Sequence, residues 1–324
     1  MWEGRAPGKV ILFGEHAVVY GRPAIAVPVR GVEARVTVRP GERGSGIWLE
    51  CCDLPALAPG EGTCRYPVRE APAGDPLRVA VLLGLTYLGI APSQEPDLVL
   101  TISSTIPIAR GLGSGAAVAT ALLRALATYF NQPLSAEETS RLVYEVEKLF
   151  HGTPSGIDNT VIAYQQPVYF VPGEPVELLQ VGVPFHLVIA DTGIASVTRQ
   201  VVGTVRQRWQ AERARYEYLF DTIAALVRAA REAIVRGEWR ALGPLMNENQ
   251  TLLNEMGVSS PELDRLLKVA RSAGALGAKL SGAGRGGFMI ALVAEEDIAP
   301  VTEALERAGA AQVLSTCVMA ASDD

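Results

Sequence analysis

Histidine and cysteine are scarce in this chain, with three His and four Cys among 324 residues. The histidines, His16, His151 and His186, stand in different segments, so a histidine-rich metal centre is not expected. No Ser–His–acid or Cys–His nucleophile set stands out either. Cys51, Cys52, Cys64 and Cys317 follow neither a zinc spacing nor a disulfide framework. They are read as free thiols of a reducing cytoplasm. An excess of basic charge is also missing. A formal net charge of −6 argues against a nucleic-acid partner, which needs a basic face. It leaves room for a small anionic substrate held by a local cluster of donors. The longest uncharged apolar stretch, 79–92 (VAVLLGLTYLGIAP), is too short to span a bilayer and is read as a buried helix. The opening MWEGRAPGK has no signal-peptide core, so a soluble cytoplasmic protein without a membrane partner is expected. There is no internal repeat and no low-complexity tract.

What is present is a large apolar fraction. With 48% hydrophobic and 20% charged residues, the chain is expected to be globular, and its length fits about two domains. Residues 8–14 and 23–39 read as strands, and 40–76 as a loop-rich excursion with a short hairpin around 46–52. Residues 77–90 read as a helix and 97–105 as a strand. A Gly-rich turn then leads into an Ala-Leu-rich helix starting near Ala116. A further helix over 135–150 has Ser135 and Glu138 spaced as a capping box. "HGTPSGIDN" reads as an irregular polar loop. The second half opens with a strand at 185–191. A helical region over about 197–272 follows, with breaks near Gly237, Gly257 and Pro261. The tail reads strand, Gly-rich turn, strand, helix, strand, which is an α+β arrangement.

Four segments carry residues suited to chemistry. In "RGLGSGAA", 110–117, glycines let backbone approach a ligand, and the following helix start offers unpaired N–H groups to an anion. The loop is neither a Walker A sequence nor a dinucleotide fingerprint. Glu147 falls on a last helical turn and Asp158 in the polar loop after it, a pairing that suits one metal ligand and one base. "KLSGAGRGG", 279–287, holds four glycines between two strands, more than a hairpin needs. The excess points to backbone lying against a ligand, with Lys279 or Arg285 adding charge. Near the start, "GKVILFGEH" puts Lys9, Glu15 and His16 around a strand end, where they could hold a polar substrate. Taken singly, each segment also has an ordinary structural reading: a tight turn, a solvated helix charge, an Asx cap, a surface strand.

Their order and wording are specific. "PGKVILFGEHAVVYG", "IPIARGLGSGAA", "HGTPSGIDN" and "KLSGAGRGG" resemble the ordered motifs of the galactokinase, homoserine kinase, mevalonate kinase and phosphomevalonate kinase superfamily. "GEHAVVYG" followed by "GTPSGIDN" is most similar to its mevalonate kinase branch. The resemblance runs from residue 6 to about 290. It implies an α+β two-domain kinase fold. Residues 1–180 would be an ATP-binding domain like ribosomal protein S5 domain 2, and 181–324 a ferredoxin-like domain, with the site in the cleft between them. The implied reaction is ATP-dependent, Mg²⁺-assisted phosphorylation of the 5-hydroxyl of (R)-mevalonate. Matched position by position, Lys9 and Asp158 are the catalytic lysine and base, and Glu147 binds Mg²⁺. Arg110, Gly111, Leu112, Gly113, Ser114, Gly115 and Ala116 form the phosphate loop, with Ser114 as a second candidate metal ligand. Glu15, His16, Thr198, Gly284 and Arg285 lie on the substrate side. The family also implies a homodimer. Two departures stand out: Gly115 where the family carries a second serine, and Arg285 where it carries glycine. Rival readings are a phosphomevalonate kinase, a related ATP-dependent decarboxylase, and a catalytically inactive metabolite sensor.

Overall fold

A computed structural model describes residues 2–52, 64–91, 94–108, 110–151 and 154–319. Part of the loop-rich excursion expected at 40–76 therefore lies outside the described residues. The chain forms two compact units, neither of them a continuous segment. One comprises Met1–Gly8, Val32–Ile108 and Gly113–Tyr164, the other Lys9–Gly31, Ala109–Leu112 and Gln165–Asp324. The long strands β1 (Trp2–Phe13) and β2 (Ala24–Pro40) contribute residues to both.

In the first unit, β3 (Ile47–Cys51), β4 (Cys64–Pro67) and β5 (Leu98–Ser104) join β2 in the order β4-β3-β5-β2. The β3–β5 pair is parallel and the others are antiparallel. Val36 faces Ile102, Val38 faces Leu100 and Leu49 faces Leu100, so the period-2 apolar residues stack on one buried face. The unit's helices are α1 (Pro76–Tyr87), α2 (Ser114–Tyr129), α3 (Ala136–His151) and α4 (Ile157–Tyr164). Helix α2 packs on β5, and its alanines allow close approach. A Cβ at Gly4 of β1 would lie 2.1 Å from the Ala121 carbonyl oxygen of α2, so only glycine fits there. Helix α3 starts with the expected capping box. The Ser135 N–H donates to Glu138 Oε2 at 2.8 Å, and the Glu138 N–H donates to Ser135 Oγ at 3.1 Å.

Three local expectations change. Helix α1 is half-buried, not buried, since Leu82 and Tyr87 face solvent. Helix α2 begins at Ser114, two residues earlier than its alanine run indicates. The segment read as an irregular loop contains α4, with Asp158 on its first turn. Its polarity misleads because the donors of two of its polar side chains find acceptors inside the unit. Thr160 Oγ1 donates to the Gly156 carbonyl at 2.6 Å, and Asn159 Nδ2 donates to Ser140 of α3.

In the second unit, β6 (Val168–Phe170) and β7 (Glu177–Leu178) are short strands with no clear sequence signal. β6 pairs with residues 24–26 of β2. Beyond them lies an antiparallel sheet of β8 (Phe185–Asp191), β9 (Gly277–Ser281), β10 (Phe288–Val293) and β11 (Gln312–Val318), ordered β11-β8-β10-β9. Four helices separate β8 from β9: α5 (Thr198–Ala211), α6 (Arg213–Arg236), α7 (Leu242–Met256) and α8 (Pro261–Ser272). Helix α9 (Ile298–Arg307) separates β10 from β11. The succession strand, helices, strand, strand, helix, strand is the ferredoxin-like pattern. The helical breaks at Gly237 and Gly257 hold, both residues adopting left-handed backbone, and another break falls at Glu212. Among the described residues no helix is long and apolar enough to cross a membrane.

Candidate active site

In the first unit, the chain enters α2 through Gly113, whose φ of 74° lies in the left-handed region that glycine adopts at little cost. No side chain caps this helix. The N–H groups at the start of α2, around Ser114, Gly115 and Ala116, therefore point an uncapped helix N-terminus at whatever anion arrives. Glu147 sits one turn from the end of α3 and is buried, while Asp158 is half-buried on the first turn of α4. A carboxylate at that position is favoured by the helix dipole. The next residue, Asn159, fixes the turn: its Nδ2 donates to the Ser140 carbonyl at 3.0 Å and to Ser140 Oγ at 2.9 Å. Helices α3 and α4, packed together, thus hold both acids on rigid elements.

In the second unit, the Lys9 N–H donates to the Leu112 carbonyl at 3.0 Å, tying β1 to the loop that carries Arg110 and Gly111. The Lys9 side chain is buried. Gly14 turns the chain with a φ of 98°, and a Cβ there would meet Ala24 at 2.6 Å. The turn delivers Glu15 inward, where its Oε1 forms an ion pair with Lys279 Nζ, both side chains fully buried. Lys279 also donates to the Leu280 carbonyl at 2.7 Å, while Glu15 Oε2 has no hydrogen-bond partner among the described residues. Burial pushes the Glu15 carboxyl up, against the pull of Lys279 and Lys9, and pushes the Lys279 ammonium down.

His16 follows with a φ of 61°, and its Nε2 lies 2.9 Å from the Ala283 carbonyl. A carbonyl only accepts, so Nε2 carries the proton and Nδ1 is left as an acceptor. Desolvation lowers the His16 pKa to about 4, so the ring is neutral at pH 7. Arg110 donates from NH1 to Asp191 Oδ2 at 2.8 Å, and Asp191 Oδ1 accepts the Gly193 N–H at 2.9 Å. Thr198 is the half-buried first residue of α5. Arg285 is exposed, with a φ of 56° and its N–H bound to the Val258 carbonyl at 2.8 Å.

The glycines of 282–287 do not all serve a ligand, as their number implied. A Cβ at Gly284 would lie 2.0 Å from the Val258 carbonyl oxygen, at Gly286 2.7 Å from that of Ile194, and at Gly287 2.6 Å from that of Arg110. Those three are required by neighbouring backbone. Gly282 alone faces open space, with Gly111 Cα its nearest neighbour at 3.9 Å. Lys279 is likewise corrected: it is committed to Glu15 and does not add charge for a ligand.

Sequence reading missed the partners that set these groups. Lys279 stands 264 positions from Glu15, and Asp191 stands 81 from Arg110. Ser281 was missed too: its hydroxyl accepts the Ile11 N–H at 3.0 Å and donates to the Ile11 carbonyl at 3.1 Å. A buried lysine inside an apolar strand was the one available signal.

Residues 78–166 match the model of the GHMP kinases N terminal domain, and 230–311 that of the GHMP kinases C terminal domain. The mevalonate kinase of Aeropyrum pernix is 39% identical over 297 residues, covering 90% of this chain and 89% of that protein. That of Pyrococcus abyssi is 38% identical over 300 residues, covering 89% and 87%. The crystal structure of L. major mevalonate kinase in complex with R-mevalonate superposes with a TM-score of 0.82 at 30% identity, covering 99% of this chain and 97% of that one. The two-domain kinase architecture read from the motifs is thereby borne out, and the chain belongs to the GHMP kinases, within their mevalonate kinase family.

Proposed function

We propose that this protein phosphorylates the 5-hydroxyl of (R)-mevalonate, using ATP and Mg²⁺. The observation that carries the reading is the uncapped N-terminus of α2 behind a left-handed glycine, a ready phosphate site in a chain of this family. Arg110, Gly111, Leu112, Gly113, Ser114, Gly115 and Ala116 are the residues assigned to the nucleotide. Residues 1–180 and 181–324 are taken as the two domains, one family model falling in each, with Lys9–Gly31, Ala109–Leu112 and the stretch from Gln165 grouping with the second compact unit.

The donor set also fits magnesium. Among the described residues no cluster of three His, Cys, Asp or Glu side chains stands ready to hold a metal. Mg²⁺ needs no such cage, because it keeps several waters and takes one or two carboxylates beside phosphate oxygens. Glu147 would be that carboxylate, with Ser114 as a candidate second ligand, since Gly115 brings no hydroxyl. Bound Mg²⁺–ATP supplies the transferable phosphoryl group and neutralises its charge.

The protein's own part is positioning and proton handling. Asp158, held on α4 by the Asn159–Ser140 bonds, accepts the proton of the attacking hydroxyl. Lys9, a buried side chain of the second unit, takes the role of the catalytic lysine. Neutral His16 offers Nδ1 to a substrate hydroxyl, and Thr198 and Arg285 complete the substrate side, while Glu15, paired with Lys279, and Gly284, packed on the Val258 carbonyl, hold that side in shape. A phosphorylated substrate would require further cations. Two that the sequence offers are already engaged: Lys279 pairs with Glu15, and Arg110, held by Asp191, is assigned to the nucleotide. This supports a monocarboxylate alcohol over its 5-phosphate. Steady-state kinetics at matched ATP and Mg²⁺ over mevalonate, phosphomevalonate, homoserine and galactose test the reading. A higher kcat/KM for any of the other three overturns the substrate assignment.

A further inference from the structure

We propose that Cys51 and Cys64 form an oxidisable cross-strand dithiol, a site that takes an intramolecular disulfide from a small-molecule disulfide oxidant. The two residues face each other as Cα partners in the antiparallel β3–β4 ladder. The register is fixed independently by the preceding pair, Glu50 opposite Arg65, whose side chains form a 3.2 Å ion pair on one face. Side chains alternate along a strand, so Cys51 and Cys64 share the other face. There Cys51 is buried and Cys64 is partly exposed.

The backbone geometry permits a bridge. The Cys52 N–H donates to the Ile102 carbonyl on β5. The peptide groups of Cys51 therefore face β4, making Cys51–Cys64 a hydrogen-bonded pair with Cα atoms about 5.5 Å apart. Disulfides span about 4.4–6.8 Å between Cα atoms. The thiols also feel each other electrostatically: burial raises the Cys51 pKa to about 12, with Cys64 the next contributor.

Exposure sets the order of events. The Cys64 thiolate attacks the disulfide of oxidised glutathione, forming a mixed disulfide and expelling one glutathione thiolate. Cys51, on losing its proton, attacks the Cys64 sulfur and expels the second glutathione. Two protein thiols are oxidised to one disulfide, one glutathione disulfide is reduced to two thiols, and the protons pass to the departing thiolates. The high Cys51 pKa makes the second step the slow one.

The test uses the full chain, reduced, freed of reductant and incubated with oxidised glutathione. Thiol titration in denaturant should fall from four per chain to two. Trypsin and Glu-C together should release residues 51–61 and 62–65 as one disulfide-linked species, because cleavage after Glu50, Glu61 and Arg65 separates the two cysteines. The linkage should persist in Cys52→Ser and vanish in Cys51→Ala, and the oxidised protein should melt higher than the reduced one. A titre that stays at four, a linkage surviving in Cys51→Ala, or a bridge between two chains would overturn the assignment.

Discussion

Glu15 and Lys279, 264 residues apart in the chain, meet as an ion pair from which solvent is wholly excluded. Glu15 enters on the turn after β1, and Lys279 stands at the centre of β9, an otherwise apolar strand. Each charge is tolerable only because the other is there. Lys279→Met should therefore destabilise the protein by about 3–5 kcal/mol, the usual cost of orphaning a buried charge. Glu15→Gln with Lys279→Met should lose much less than the sum of the two single changes. Urea unfolding of the four proteins closes the cycle, and additive losses would show that the pair is not coupled.

His16 gives the pH dependence of stability a definite sign. Its pKa falls from 6.5 in the unfolded chain to about 4 in the fold. The stability tied to its neutral form is fully present above pH 6.5 and is lost as pH drops towards 4, where the unfolded chain alone binds the proton. The loss over that window is about 3 kcal/mol at one 1.36 kcal/mol step per pKa unit. His16→Asn keeps a residue tolerant of positive φ and removes the titration. Denaturant midpoints measured from pH 4 to 7 should slope less in the variant than in the parent.

Asp158→Asn should leave folding intact, because the change is isosteric and Asn159 and Thr160 still pin this turn. Removing a positioned general base costs on the order of 10²–10⁴-fold in rate. The expected pattern is an unchanged melting temperature, retained ATP binding by calorimetry, and a collapsed kcat. A variant turning over near the parental rate would take Asp158 out of the base role.

Ser114→Ala should raise the Mg²⁺ requirement less than Glu147→Gln does. Glu147 supplies charge, whereas a serine hydroxyl can be replaced by one of the waters magnesium retains. Magnesium titrations of activity at saturating ATP rank the two. The reverse order would make Ser114 the primary ligand.

Gly284→Ala and Gly282→Ala separate backbone packing from backbone conformation. Both glycines have positive φ, 84° and 91°, so both substitutions carry the left-handed cost of about 1–2 kcal/mol. Only at position 284 does the new Cβ strike backbone, the Val258 carbonyl oxygen at 2.0 Å. Overpacking should add roughly 1–3 kcal/mol there. Thermal unfolding should show a clearly larger drop for Gly284→Ala.

Local chemistry was legible in the sequence wherever it depends on near neighbours. The capping box of Ser135 and Glu138, the strand alternation of β2 and β5, the glycine entry to α2 and the ordered kinase motifs all act within a few residues. Periodicity and φ preferences are local properties, so the longer strands and helices could be read in order, while β6, β7 and α4 were not. The tertiary structure decided how polar groups in those motifs are spent. It assigned Lys279 to Glu15, Arg110 to Asp191 and Ser281 to Ile11, and it turned three of the four third-motif glycines against protein backbone. It also drew the polar run around Asp158 into a helix, because Asn159 and Thr160 found partners there. These outcomes rest on desolvation and on pairings between distant segments. A buried charge and an exposed one are the same letter in a sequence, and only the fold brings up the partner that lets one of them leave water.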